Sequence, residues 1–477
     1  MAELARAVMV CGTHSGAGKS LLTTALARWY ARAGYRVAPF KAQNMSNNAR
    51  VVAQGEIGSA QYFQALAAQC VPDVRMNPVL LKPEADTRSQ VVLLGEVSDR
   101  LSVMPWRERS AVVWSTVQDS LRSLREQYDL VVIEGAGSPA EINLQASDIV
   151  NMRVAVEANA ATLIVSDIDR GGAFAHLYGT YWLIPPEQRC LIRGFVLNKF
   201  RGDVSLLSPA PEELERLTGV PTLGVLPMWR DHGLPEEDGV FDVTQSLAGF
   251  SIVIVAYPRI SNLDEFAALS RIPGVSVCWA RRAETVLHAD LLILPGSKHV
   301  AADLQWLRQT GIDQAIVAYA KLGKPILGVC GGLQMLGRDL LDPHGVEGAG
   351  EGLGLMELRT VYAREKKTSR GSFQFTELSG FWGCLTGVQF DAYEIRYGVT
   401  DRLAGVSSAN LNLALAGGVG WISGQILAVY THGLFENSAV LAALFGHSVP
   451  NLDDTLDGLA DFVDQHLGSA VLEKLLG

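Results

Sequence analysis

Residues 8–34, VMVCGTHSGAGKSLLTTALARWYARAG, limit what this chain can fold into more than any other stretch. An apolar run ends at Gly12, glycines recur at 16 and 18, and Lys19-Ser20 opens a run with apolar residues at helical spacing. That order predicts a buried strand, a tight glycine turn and a helix, the opening of a parallel β-α-β unit. Similar short apolar runs follow at 36–40, 129–135, 161–167, 192–198 and 221–227, separated by amphipathic stretches. The alternation lapses through MWRDHGLPEEDGVFD and resumes at 250–258, 274–280, 290–296 and 324–330. The expected fold class is therefore α/β with two domains, each a mostly parallel sheet flanked by helices. The expected boundaries are 1–228, a linker at 229–248, a second domain at 249–445 and a tail at 446–477. That tail carries Leu452, Leu456, Leu459, Phe462 and Val463 at helical spacing and is expected to form a covering helix.

Composition removes several classes of function. A chain of 477 residues with 48% hydrophobic and 19% charged residues has ample material for two cores. A formal charge of −10 argues against non-specific nucleic-acid binding, which needs a basic surface. The six cysteines are scattered, with no CxxC pair, as expected of reduced thiols and not of a zinc site or disulfide frame. No apolar run reaches the roughly 18 residues of a membrane span, and the first strand starts too early for a signal peptide. The expectation is a cytoplasmic protein without a membrane or nucleic-acid partner. Nothing in the residues sets an oligomeric state.

The glycine turn carries the first chemistry. Its backbone N–H groups, from Gly12 and Thr13 through Gly16 to Gly18, are placed to converge on phosphate oxygens. Lys19 would reach the terminal phosphates and the Ser20 hydroxyl would ligate magnesium. Five residues separate Gly12 from Gly18, one more than in the usual G-x4-G-K-[ST] motif. The plainer reading is a glycine turn with a chance Lys-Ser, but strand before and helix after favour nucleotide binding. DLVVIEGAGSP ends a buried run at Glu134, at the sheet edge where ligands bind. That carboxylate either holds magnesium beside the phosphates or caps a helix, and the company of the first loop favours the metal.

A second chemistry lies in GVCGGLQMLG. Cys330 stands between Gly328 and Gly332 on an expected strand-to-helix turn, the shape of a nucleophile elbow, where a helix N-terminus favours the thiolate. A cysteine nucleophile needs a base, and His432 in ILAVYTHGLFEN follows a strand directly. The loop LILPGSKH offers Gly296 and Ser297 as oxyanion donors, with the amide of Gly331 beside the nucleophile. Either residue alone would usually be structural; together, in this order, they favour catalysis.

The spacing of the first loop and the strand-end EGAG resemble the dethiobiotin synthetase-like ATPases. That resemblance implies P-loop chemistry in which ATP converts a carboxylate to an acyl phosphate, and it puts Asn198 where adenine is recognised. The Cys330 and His432 segments resemble the class I glutamine amidotransferases, which release ammonia from glutamine through a thioester. That family carries a glutamate two residues after the histidine; here the position is Leu434, and Glu436 lies two residues further on. No third residue is carried over to this chain, as the cobyrinate-type branch lacks it too. Without one, His432 would be oriented by backbone or solvent alone, and the residues leave open whether an acid orients it.

The chain as a whole resembles the cobyric acid synthases, through PFKAQNMSNNA (39–49), MNPVLLKP (76–83), SDIDRGGAFAHLYGT (166–180), LNKFRGD (197–203) and YEIRYGVT (393–400). The resemblance implies ATP, Mg2+ and glutamine as reactants and cofactor. It implies adenosylcobyrinic acid a,c-diamide as the corrinoid partner, amidated at its b, d, e and g carboxylates. A polycarboxylate substrate needs cations and amides around it; Lys41, Gln43, Asn44, Lys82, Arg153, Arg170 and Arg201 are the candidates. Asp167 and Asp169 either join the magnesium site or pair with Arg170. The rival readings are an a,c-diamide synthase, disfavoured by KAQNMSNNA and DIDRGG, and a lipid-precursor amidotransferase sharing only the second half. A partition-type ATPase is disfavoured because GTHSG lacks that group's extra lysine.

Overall fold

A computed structural model of the chain describes residues 4–85, 87–230, 232–234, 249–403, 411–447 and 452–477. The expected linker at 229–248 lies mostly outside the described residues. The chain divides into two compact units. The first comprises residues 1–46, 52–234 and 450–477, and the second residues 47–51 and 235–449.

The first unit is built on six parallel strands: β1 (Arg6–Gly12), β2 (Val37–Phe40), β3 (Leu130–Glu134), β4 (Ala161–Asp167), β5 (Ile192–Phe200) and β6 (Thr222–Pro227). Their spatial order is β6-β5-β4-β1-β3-β2. Apart from the half-buried edge strand β6, the strands are largely buried on both faces, which is why they read as continuous apolar runs. β1 lies between β3 and β4, with Val10 opposite Glu134 and Gly12 opposite Val165. The carboxyl ends of β1, β3 and β4 therefore bring Gly12, Glu134 and Asp167 to one edge. The helix Lys19–Arg32 starts from that edge and buries Leu22, Ala25, Leu26 and Tyr30. The C-terminal helix Leu452–Leu467 covers it: Asp457 accepts from Arg28 Nε at 2.8 Å, and Asp464 accepts from Trp29 Nε1 at 3.1 Å. The expected covering helix is present, and the helix it covers is that of the phosphate loop.

The second unit holds seven strands: β7 (Phe250–Val255), β8 (Val275–Ala280), β9 (Leu291–Leu294), β10 (Ile326–Val329), β11 (Leu411–Leu415), β12 (Gly420–Ser423) and β13 (Ile426–Val429). Their order is β8-β7-β9-β10-β13-β12-β11. The first five run parallel and the last two close the sheet antiparallel. A long antiparallel hairpin, Leu358–Gln374 with Gln389–Arg402, packs beside it. β10 and β13 are neighbours in register, Val329 opposite Val429. Residues just past the ends of these two strands consequently meet, although about a hundred residues of chain separate them.

Candidate functional site

In the first unit the phosphate loop and the end of β3 share one polar cluster. Glu134 is 1% exposed and accepts from Ser20 Oγ at 2.8 Å, from Lys41 Nζ at 2.9 Å and from Gln64 Nε2. Burial alone would push this carboxyl up, but Lys41, Gln64 and Lys19 hold it below its ordinary range, so it is an anion. Lys19 Nζ donates to the carbonyls of His14 at 3.0 Å and Gly137 at 3.4 Å, which pins its ammonium within the loop. Thr13 is fixed by its N–H on Val165 O and by a 3.1 Å contact of its hydroxyl with Ser166 Oγ. Gly16 and Gly18 adopt φ of 74° and 100°, which glycine reaches at little cost. A Cβ on Gly18 would lie 2.0 Å from Asn198 Nδ2, which itself donates to Ala17 O at 2.9 Å. Asn198 thus buttresses the phosphate loop.

The donor set suits magnesium. Ser20 Oγ and the Glu134 oxygens are hard oxygen ligands side by side, and the buried Gln64 Oε1 has no hydrogen-bond partner. Among the described residues no group of three or more His, Cys, Asp or Glu side chains forms a metal cage. One carboxylate and one hydroxyl are what Mg2+ takes when phosphate oxygens and water complete its shell.

The expected corrinoid cations are distributed unevenly. Lys41 sits in the phosphate-loop cluster on Glu134, and Lys82 forms a buried ion pair with Glu56 at 2.5 Å. Gln43 and Asn44 are buried on a short strand, where Asn44 Nδ2 donates to Gln61 Oε1 at 3.2 Å. Arg153 stacks on Trp114 at 3.9 Å beside a cleft of about 360 Å³. Arg170 and Arg201 are exposed and pair with Asp167 and Asp169 respectively. Asp167 also faces Lys199 Nζ at 3.2 Å. Asp167 thus pairs with Arg170, one of the two roles open to it, whereas Asp169 pairs with Arg201 and not with Arg170.

In the second unit Cys330 directly follows β10 and is the cap residue of the short helix Gly331–Leu336. Its φ of 50° is strained for a residue with a Cβ, and the turn is held by its N–H on Val429 O at 2.7 Å. The flanking glycines are required by close approach. A Cβ on Gly332 would meet Leu294 O at 1.9 Å, and one on Gly328 would meet Leu336 Cδ1 at 2.4 Å. A Cβ on Gly331 would lie 2.6 Å from the Ser297 amide nitrogen, so these two of the three expected oxyanion residues are neighbours. Gly331 heads its helix, where amide N–H groups lack intrahelical acceptors. Ser297 is fixed by its hydroxyl on Asp303 Oδ2 at 2.6 Å, and Gly296 pairs with Ser261 across an antiparallel bridge. A Cβ on Gly296 would come 2.9 Å from His432 Cε1.

His432, three residues past β13, is buried and its backbone is bridged to Tyr393. The question of an orienting acid left open by the sequence is answered by Glu265. Glu265, from the 3₁₀ segment Leu263–Arg271, places Oε1 2.8 Å from His432 Nδ1 and accepts from the Gly433 N–H through Oε2, also at 2.8 Å. Both carboxylate oxygens are thereby engaged and the imidazole is fixed in orientation. Leu434, where a glutamate is usual, is fully buried in the core, and Glu436 turns instead to Arg50 at 2.6 Å. Burial opposes charge on His432, yet Glu265 and Cys330 together push it up to about 10. At neutral pH the ring is an imidazolium beside the sulfur. No local motif announces Glu265, which lies 167 residues from its partner.

Residues 8–238 match the CobQ/CobB/MinD/ParA nucleotide binding domain, and residues 251–440 match the CobB/CobQ-like glutamine amidotransferase domain. A cobyric acid synthase of Variovorax paradoxus (strain S110) is 59% identical over 99% of this chain and 99% of its own length. The chain belongs to the cobyric acid synthase family. A relative of the same name from Polaromonas sp. (strain JS666 / ATCC BAA-500) is 56% identical over 99% of each chain. A third, from Methylibium petroleiphilum, is 58% identical over 99% of this chain and 97% of its own. Membership makes the protein a glutamine amidotransferase-type ligase with a nucleotide-binding domain, and the match includes the C-terminal covering helix. Among the described residues no helix is long and apolar enough to cross a membrane.

Proposed function

We propose that this cobyric acid synthase family member amidates the b, d, e and g carboxylates of adenosylcobyrinic acid a,c-diamide, using ATP and glutamine. The observation that carries the reading is the pairing, in one chain, of the Lys19–Ser20–Glu134 cluster with the Cys330–His432–Glu265 constellation. Glutamine is hydrolysed at the second. The Cys330 sulfur attacks the carboxamide carbon, and amide donors at Gly331 and Ser297 receive the developing oxyanion. His432, already protonated, gives its proton to the departing nitrogen, so ammonia leaves and a thioester remains. Water then adds, assisted by the neutral imidazole, and glutamate and the thiol are restored.

At the first cluster a corrinoid carboxylate oxygen attacks the γ-phosphorus of ATP, ADP leaves, and an acyl phosphate forms. Ammonia attacks its carbonyl carbon and inorganic phosphate departs, leaving the amide. Lys19 supplies a fixed cation to the transferring group. Mg2+, when bound at Ser20 and Glu134, supplies charge neutralisation to the phosphates. The full-length identity to cobyric acid synthases favours this substrate over the less amidated precursor of an a,c-diamide synthase.

The test is incubation with ATP, Mg2+, glutamine and the a,c-diamide, with mass spectrometry of the corrinoid. Four successive amidations are expected. An a,c-diamide left unchanged would refute the substrate assignment.

A further inference from the structure

The second unit includes five residues, 47–51, whose sequence neighbours on both sides belong to the first unit. Arg50, in this segment, is among the largest fully buried side chains. Its guanidinium is shared among three groups of the second unit. Nη2 donates to Asp264 Oδ2 at 2.5 Å and to Glu436 Oε1 at 2.6 Å, and Nη1 donates to the Tyr393 hydroxyl at 2.6 Å. Two of these partners lead to the glutamine-hydrolysing residues by separate routes. Asp264 immediately precedes Glu265, the residue on His432 Nδ1. Tyr393 lies flat against the His432 ring, centroids 5.5 Å apart and planes at 23°, and exchanges backbone hydrogen bonds with it. Asn262 closes the frame by donating to both the Tyr393 hydroxyl and Ala49 O at 2.7 Å.

Asp264, Glu265 and Glu436 would be a repelling acidic cluster without a cation. A planar guanidinium satisfies two carboxylates and a phenol at once, which a lysine ammonium does with poorer geometry. With Asp264 and Glu436 answered by Arg50, the carboxylate of Glu265 is left to His432 and Gly433.

We propose that Arg50 is a positioning residue of the glutamine-hydrolysing site, setting Glu265 through Asp264 and the His432 ring through Tyr393. The inference rests on the reading of Cys330 and His432 as the hydrolytic pair. It makes hydrolysis depend on a residue encoded inside the sequence of the nucleotide-binding half, in the KAQNMSNNA stretch and its continuation to Arg50.

The test compares Arg50→Met, Arg50→Lys and Tyr393→Phe in the full chain with wild type and Cys330→Ala. It measures kcat and KM for glutamine hydrolysis, amidation from ammonium salt, and thermal melting. Arg50→Met is expected to lower the hydrolytic kcat about 10- to 100-fold, the scale of a mispositioned catalytic group, with KM within about threefold. Amidation from ammonium should stay within about twofold, and Arg50→Lys should recover part of the loss. If Arg50→Met fails to fold, Tyr393→Phe and Arg50→Lys carry the test, since both keep the volume of the site. Each should then lose kcat with KM held. A hydrolytic kcat within about threefold of wild type in the folded variants would overturn the proposal, as would an equal loss of ammonium-dependent amidation. Hydrolysis surviving in Cys330→Ala would instead overturn the underlying reading of the pair.

Discussion

Glu265 holds His432 through Oε1 at 2.8 Å and the next backbone N–H through Oε2 at the same distance. A carboxylate in this position fixes the tautomer and stabilises the imidazolium that must give up its proton. Glu265→Gln keeps the shape and removes the charge. It is expected to lower the glutamine hydrolysis rate by about 10²- to 10⁴-fold, with ammonium-dependent amidation retained. Steady-state rates with the two nitrogen donors decide it; a loss under about fivefold would make Glu265 a bystander.

The same pair fixes a pH dependence. His432 is raised from its ordinary 6.5 to about 10 in the folded chain. A raised cationic group stabilises the fold fully below its unfolded value and loses that contribution as pH climbs through the folded value. Wild type should therefore exceed Glu265→Gln in stability most clearly below about pH 6.5, and the gap should close toward about pH 10. Chemical denaturation at pH 6, 8 and 10 reads this directly. A gap that widens with pH would mean the pair is neutral in the folded protein.

How far the sequence foretold this site depends on the range of each contact. The phosphate loop was legible because strand, glycines, Lys19 and Ser20 are contiguous, and Cys330 because Gly328 and Gly332 frame it in five residues. The meeting of Cys330 with His432 followed from both being placed at the ends of buried parallel strands. Glu265 was not legible: it comes from an irregular 3₁₀ stretch far along the chain, and the position where an acid is sought holds Leu434, a core residue. Lys41 and Lys82 read equally well as ligand-binding cations, because nothing local reveals that Glu134 and Glu56 lie opposite them. Residues 47–51 carry no composition that would separate them from their neighbours.

Glu436 offers a control. Its carboxylate sits on Arg50, while His432 Nδ1 is taken by Glu265. Glu436→Gln keeps an oxygen acceptor for the guanidinium, so glutamine hydrolysis should stay within about threefold of wild type, whereas His432→Ala should nearly abolish it. Rates at saturating glutamine, with melting curves to establish folding, make the comparison. Equal losses in the two variants would reassign Glu436 as the orienting acid.

Separation of the two chemistries predicts opposite behaviour of two variants. Cys330→Ser should lose glutamine-dependent amidation while keeping activity with ammonium. Lys19→Ala should lose both, because the phosphoryl group must be transferred before any nitrogen is used. Corrinoid products measured with each nitrogen donor distinguish the cases. Retention of ammonium-dependent turnover in Lys19→Ala, or its loss in a folded Cys330→Ser, would break the two-site scheme.

Lys41 tests what a buried cation contributes beside the phosphate loop. Its ammonium lies 2.9 Å from Glu134 Oε1, with both side chains almost wholly buried. Lys41→Met leaves Glu134 with Ser20, Gln64 and the more distant Lys19, so the carboxylate loses its nearest counter-charge. Removing one partner of such a pair costs about 3–5 kcal/mol at neutral pH. Glu134 is held below its ordinary 4.5 in the folded chain. A depressed carboxyl stabilises the fold above its unfolded value, and that contribution is lost as pH falls through the folded value. In Lys41→Met the carboxyl moves upward and can take a proton in mild acid, which relieves the uncompensated charge. The deficit should therefore be largest near pH 7.5 and shrink toward about pH 4.5. Thermal melts of wild type and variant across that range measure it. A deficit independent of pH would mean that Lys41 stabilises through the packing of its aliphatic chain, and that Glu134 does not depend on it for charge.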